Sequence, residues 1–231
     1  ASMKSQGQEL SIQTTNIKSR DLTWITNFIF SHVTTEVTSL MSQARTIDLI
    51  SGEASSGFTM KGYPHRAIFS MPFKGLTDKG IPTYLNEKNE LTSTDLDFQN
   101  RIDKSYLIYE GPTEPTITGS LGNELKWKNW RLNVFVTYSF GSYVRLDPMF
   151  SARYNDLTSM TKEFKNRWVQ AGDELTTNVP GILPYRSYAS NRRLRIAYNA
   201  YNYTSNRTAK GDFVRMKEIS LGYDLPKSLL Q

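Results

Sequence analysis

Thr116–Gly141 reads TITGSLGNELKWKNWRLNVFVTYSFG, and its reading decides the fold. From Trp130 onward one phase holds Trp130, Leu132, Val134, Val136, Tyr138 and Phe140, all apolar. The other phase holds Arg131, Asn133, Phe135, Thr137, Ser139 and Gly141, with Phe135 its single apolar member. The strand before it places Ile117, Leu121, Leu125 and Trp127 in one phase and Thr118, Ser120, Glu124 and Lys126 in the other. A period of two marks β-strands, and Lys128-Asn129 is short enough to be a hairpin turn. Each strand has about the 9–11 residues that cross a tilted bilayer. Trp127, Trp130 and Phe140 lie at strand ends, where the aromatic girdle of a membrane barrel belongs.

Working outward, residues 8–17 and 22–33 read as a second hairpin around a polar turn at 18–21, with Leu22, Trp24, Phe28 and Phe30 in phase. Residues 212–224 read as a last strand. Its apolar residues switch phase, from Val214 and Met216 to Ile219, Leu221 and Tyr223, which is the signature of a β-bulge. Between these strands lie two long segments, 34–114 and 142–211, rich in Gly, Pro, Asn and Asp. His65–Phe73 reads as a short strand that Pro72 confines to an edge or an end. A loop helix is expected near 148–169, capped by Asp147-Pro148 and ended at Ala171-Gly172, with Phe150, Tyr154, Leu157, Phe164 and Trp168 packing it on neighbouring loops.

Composition narrows the function. The 231 residues contain no cysteine, which excludes disulfides, thiolate metal sites and a cysteine nucleophile. The net charge of +6 is spread among alternating signs, apart from a cluster at Arg186–Arg195, and no nucleic-acid-binding motif accompanies it. No run of about 18 apolar residues offers a membrane helix, a test that is blind to β-barrels. His32 and His65 lack metal-ligand spacing, and Asp95, Asp97 and Asp103 follow a calcium-loop pattern only faintly. No motif of nucleophilic, phosphate-binding or acid–base chemistry is present, so neither catalytic residues, a metal site nor a cofactor is expected, and the chain reads as no enzyme.

Five stretches in order carry a family resemblance: Gln6–Leu10 with Trp24–Asn27, Gly111–Thr113 with Gly119–Asn123, Leu132–Gly141, Asn166–Trp168 with Gly172–Glu174, and Phe213–Leu225. They are similar to the C-terminal part of the SusC/RagA-type TonB-linked outer-membrane transporters, and the likeness runs along nearly the whole chain. The resemblance implies an all-β fold: an antiparallel transmembrane β-barrel segment with long outer loops. Residues 1–231 would form part of a single barrel domain that lacks plug and last strands. It implies a nutrient importer of oligosaccharides or peptides in the outer membrane of a Gram-negative bacterium. The implied partners are a SusD-like surface lipoprotein as lid, TonB acting through a missing N-terminal part, membrane lipid, and a glycan or peptide ligand.

On this reading the turns at 18–21, 128–129 and after Pro226 are periplasmic, and the long segments face outward. Leu132, Val134, Val136, Tyr138 and Phe140 would face lipid, with the polar phase toward the lumen. Tyr185, Arg186, Tyr188, Arg192 and Arg193 are the candidate ligand contacts, since aromatic faces stack on sugar rings or peptide side chains and Arg donates to carboxylates and hydroxyls. The competing reading is a soluble surface module, a β-sheet that binds glycan without transport. It requires the apolar phase of 130–140 to be covered by a second sheet.

Overall fold

The computed structural model describes residues 1–55, 57–150 and 160–226. The strands in chain order are β1 (Ser2–Lys18), β2 (Leu22–Ser39), β3 (Ala67–Ser70), β4 (Phe73–Leu76), β5 (Pro82–Leu85), β6 (Leu91–Thr92), β7 (Ile108–Pro112), β8 (Ile117–Trp127), β9 (Trp130–Phe140), β10 (Tyr143–Arg145), β11 (Thr208–Lys210) and β12 (Phe213–Tyr223). The helices are α1 (Thr46–Ser55), α2 (Tyr185–Ser190) and α3 (Arg192–Tyr201). They fall into two compact units: the long strands, and a body built mainly from residues 37–113 and 143–209.

The first unit is a five-stranded sheet in the order β1-β2-β8-β9-β12. These are the five strands the alternation marks. Register is the informative part. β2 pairs with β8 from Leu22↔Trp127 to His32↔Ile117, and β8 pairs with β9 from Trp127↔Trp130 to Ile117↔Phe140. β12 pairs with β9 with a shift between Met216 and Glu218, so Lys217 is an extra residue. Below the shift Val214 and Met216 stand opposite Tyr138 and Val136; above it Ile219, Leu221 and Tyr223 stand opposite Val134, Leu132 and Trp130. The bulge thus corrects the phase switch, and all five residues share the face of Leu132 to Phe140. The opposite face carries Glu124, Lys126, Arg131, Asn133, Thr137, Arg215 and Glu218.

Two details tighten the apolar face. Gly119 leaves room for Tyr138 to lie across β8 and donate its hydroxyl to the Ile29 carbonyl at 2.9 Å. Tyr138 also stacks between Phe28 and Phe140, at 6.5 and 5.6 Å between ring centroids. The polar groups on this face are engaged with one another: Asn16 donates to Thr26, and both Thr26 and the Trp24 indole donate to the Asn123 carboxamide. At the short-turn end, the Lys128 N–H donates to the Asp21 carbonyl and the Asp224 N–H to the Asn129 carbonyl.

The second unit corrects the impression of irregular loops. It is a body with its own core of Leu49, Ile50, Ala67, Phe69, Met71, Tyr84, Leu107, Ala197 and Ala200. Its sheets are small: β3 with β7, β4-β5-β6, and β10 with β11. Two cations are built into it. Arg145 donates to the carbonyls of Ile50, Phe69 and Thr204 and to the Ser70 hydroxyl, and desolvation pushes its pKa down to about 10, leaving it charged at neutral pH. Arg207, 2% exposed, pairs with Glu163 at 2.6 Å and donates to the Asp147 carbonyl.

The helix expected near 148–169 is corrected in part. Residues 151–159 lie outside the described residues. On either side Met149 and Phe150 are irregular, and only Lys162–Asn166 forms a turn, a 3-10 helix that ends at extended Arg167. The loop helices lie elsewhere, at α1, α2 and α3. Asn202 holds this segment from elsewhere in the chain: its side-chain oxygen accepts the N–H groups of Met149 and Phe150, at 2.9 and 2.8 Å. His65–Phe73 does contain a strand, β3, which ends ahead of Pro72 as that residue requires.

Candidate functional site

The body holds a cavity of about 350 Å³ lined by Phe98, Phe150, Tyr188, Arg195, Ile196 and Asn199. α3 supplies half of the described lining, and its start is set by Asn191, whose side chain accepts the Leu194 N–H at 3.0 Å. The helix is pinned from below. The buried Tyr84 hydroxyl donates to the Ala197 carbonyl at 2.7 Å, and burial raises the Tyr84 pKa well above its usual value, so it stays a donor. Arg195 and Asn199 are one helical turn apart, so their polar ends share one face. Ile196 adds an apolar edge between them.

The other walls are held as firmly. Asn202 clamps the Phe150 backbone on both sides, accepting from its N–H and donating to its carbonyl at 3.1 Å. That fixes the Phe150 ring 5.4 Å from Tyr198 and 6.4 Å from Tyr188. The Phe98 carbonyl takes the Ile47 N–H at 3.0 Å, which ties that wall to α1. The Arg195 guanidinium lies over the Tyr188 ring, 5.3 Å from its centroid, and makes no ion pair among the described residues. The cavity thus offers aromatic and aliphatic walls, a cation held against a ring, and a carboxamide. That arrangement is suited to binding, and its described lining contains no paired acid and base.

Of the five residues expected to touch ligand, the structure brings Tyr188 to the cavity and stacks Tyr185 on it, with centroids 6.3 Å apart. Arg186, Arg192 and Arg193 are exposed and do not line it. Sequence reasoning passed over Arg195, Ile196 and Asn199, whose spacing within a short helix was the available signal, and Phe98, for which there was none. The carboxylates with a faint calcium pattern shape turns instead. Asp97 accepts the Gln99 N–H, and Asp103 accepts both the N–H and the hydroxyl of Ser105, which lowers its pKa. Among the described residues no group of three His, Asp or Glu is placed to hold a metal.

No protein-family model matches the chain. A curated sequence does: TonB-dependent receptor P3 of Formosa agariphila is 26% identical over 99% of the chain. Among solved structures, the RagAB peptide transporter superposes with a TM-score of 0.68 over 98% of the chain at 19% identity. The RagAB peptide importer in its closed-closed state does so with 0.64 over 99% at 18% identity. The chain spans only 22% of that receptor and 23% of the RagAB transporter chain. The five-stranded sheet is therefore a stretch of barrel wall. Sharing this fold over nearly its whole length, and aligned with a TonB-dependent receptor along the same span, the chain is similar to a barrel segment of a TonB-dependent receptor.

Proposed function

We propose that the chain supplies wall strands and outer loops to a TonB-dependent importer in the outer membrane of a Gram-negative bacterium, taking up oligosaccharides or peptides. The sheet and the loop body are then two parts of one barrel domain. The observation that carries this reading is the apolar face. It runs through β2, β8, β9 and β12 in register, with Trp24, Trp127, Trp130 and Tyr223 toward the short turns and Phe28, Phe30, Tyr138 and Phe140 toward the long connections. Leu132, Val134, Val136, Tyr138 and Phe140 face lipid, between two aromatic belts. The mutual hydrogen bonds of Asn16, Thr26, Asn123 and Trp24 suit the same surroundings, where a polar group has no water to turn to.

The soluble alternative needs a second layer over this face. Val214, Ile219 and Leu221 are 64%, 65% and 67% exposed, and no described segment covers them. The importer works by gating rather than chemistry: ligand is held between barrel and a SusD-like lid lipoprotein, and TonB draws on the plug. The name RagAB peptide importer, carried by the structural relatives, supports a transport role and leaves glycan and peptide both open as cargo.

Two substitutions in the full-length protein test the reading. Arginine at a lipid-facing barrel position costs roughly 2–4 kcal/mol near the bilayer midplane and far less in the lumen. Val134→Arg is expected to abolish the folded, heat-modifiable band in outer-membrane fractions, and Asn133→Arg to leave it. Equal tolerance of the two, or a folded protein recovered from the soluble fraction, would sink the proposal.

A further inference from the structure

We infer that the cavity between α3 and Phe150 is a subsite for an organic carboxylate carried on a ring or an apolar side chain; the inference rests on the outer-loop reading above and names what that surface selects. Three features carry it. The first is the imbalance of the lining. Four of its six described lining residues, Phe98, Phe150, Tyr188 and Ile196, are apolar walls, and Arg195 and Asn199 stand one turn apart on the same face of α3. A neutral sugar would leave much of that wall unmatched by hydroxyls, and a bare inorganic anion would leave it empty.

The second is the state of Arg195. It has no carboxylate partner among the described residues, and it is already held against Tyr188. A guanidinium fixed on a ring presents its planar donors with little rotamer freedom left to lose, which suits bidentate pairing with a carboxylate. The third is size. A space of about 350 Å³ lies at the lower end of small-ligand sites, enough for one ring and its acid group. Asn199 can then donate to, or accept from, a neighbouring amide or hydroxyl.

Two sources present this chemistry: a peptide that ends in an aromatic residue, and a glycan built of uronic acids. The test is equilibrium binding by calorimetry to the full-length receptor in detergent. The probes are the peptide Ala-Gly-Gly-Phe with a free C-terminus, the same peptide amidated, and trigalacturonate. The free acid is expected to bind at least about tenfold more tightly than the amide, as a hydrogen-bonded charge pair gives. Arg195→Gln should remove that advantage and leave the amide within about twofold.

Arg192→Gln, on the exposed side of the same helix, should change neither. If trigalacturonate shows the Arg195 dependence and the peptide does not, the carboxylate comes from a glycan; the reverse assigns it to peptides. Equal affinity for acid and amide together with trigalacturonate binding that ignores Arg195→Gln, an Arg195→Gln variant that keeps the acid preference, or no binding of any probe would overturn the inference. Heat modifiability of all three proteins is read in parallel. A receptor that is folded in the membrane yet blind to the carboxylate refutes the subsite and leaves the importer reading standing.

Discussion

Gly119 is the position where the sheet is least forgiving. A Cβ there would lie 2.2 Å from the Ile29 carbonyl oxygen, 2.3 Å from the Tyr138 hydroxyl oxygen and 2.4 Å from its ring carbon. Gly119→Ala therefore forces two adjustments at once. Tyr138 must swing away, losing its bond to Ile29, worth about 1 kcal/mol net, and its stacking on Phe28 and Phe140, worth about 0.5–1.5 kcal/mol per pair. The Ile29 oxygen is backbone, so β2 and β8 must also move apart locally, and overpacking of this kind costs about 1–3 kcal/mol. The sum is roughly 3–7 kcal/mol, with Tyr138→Phe costing about 1 kcal/mol as the lost hydrogen bond alone. The assay is the apparent melting temperature of the full-length receptor in detergent, read from heat-modifiable mobility on gels. The expected order is wild type, then Tyr138→Phe, then Tyr138→Ala, then Gly119→Ala. Because the Ile29 contact survives removal of the ring, Gly119→Ala/Tyr138→Ala must still melt below Tyr138→Ala. A double variant that melts with Tyr138→Ala, or a Gly119→Ala protein no weaker than Tyr138→Phe, would refute the geometry.

Three further outcomes are expected. Deleting Lys217 removes the extra residue of the bulge, throws Val214 and Met216 onto the charged face, and should prevent assembly in the outer membrane, whereas Lys217→Ala should assemble normally. Arg145→Met strands the Phe69, Ile50 and Thr204 carbonyls and removes a cation that Glu110 feels; a loss of at least about 3 kcal/mol should appear as faster proteolysis of the loop body with the barrel intact. The Asp48 carboxylate is held below its usual pKa, chiefly by its hydrogen bond with the Arg45 side chain. A depressed carboxylate contributes stability at pH above its unfolded value and loses it as pH falls through the folded one. Protection of the α1 amides against hydrogen exchange, taken relative to the intrinsic rate at each pH, should therefore fall in acid, below about pH 4, and Asp48→Asn should abolish that acid dependence.

The barrel strands were legible because an apolar face opposite a polar one imposes a period of two, clearest at 130–140, and nothing else in the chain repeats so regularly. Even the bulge at Lys217 could be read, since a phase switch inside one strand has few other causes. The loop body was opaque for the opposite reason. Its core takes one or two residues from each short piece, such as Leu49 and Ile50 from α1, Phe69 from β3 and Tyr84 from β5, so no window carries a period. Phe150 illustrates the cost. Its spacing to Tyr154 and Leu157 suggested a helix face, but what places it is Asn202, some 50 residues on, and a single long-range clamp leaves no trace in local pattern. Tyr188 was identified among the Tyr and Arg residues by composition alone. Arg195 needed the knowledge that α3 begins at Asn191.

The hydrogen bonds that join Lys128 to Asp21 and Asn129 to Asp224 tie three successive sheet segments together at their short-turn ends. Register is thus written at one edge, independently of what is inserted at the other. A lineage can lengthen, shorten or replace the outer segments without renegotiating which residues meet which across the wall. The same holds at the bench. A loop body transplanted between receptors needs to match the spacing of four strand ends, those of β2, β8, β9 and β12, so it can be exchanged as a cassette while the wall is inherited unchanged.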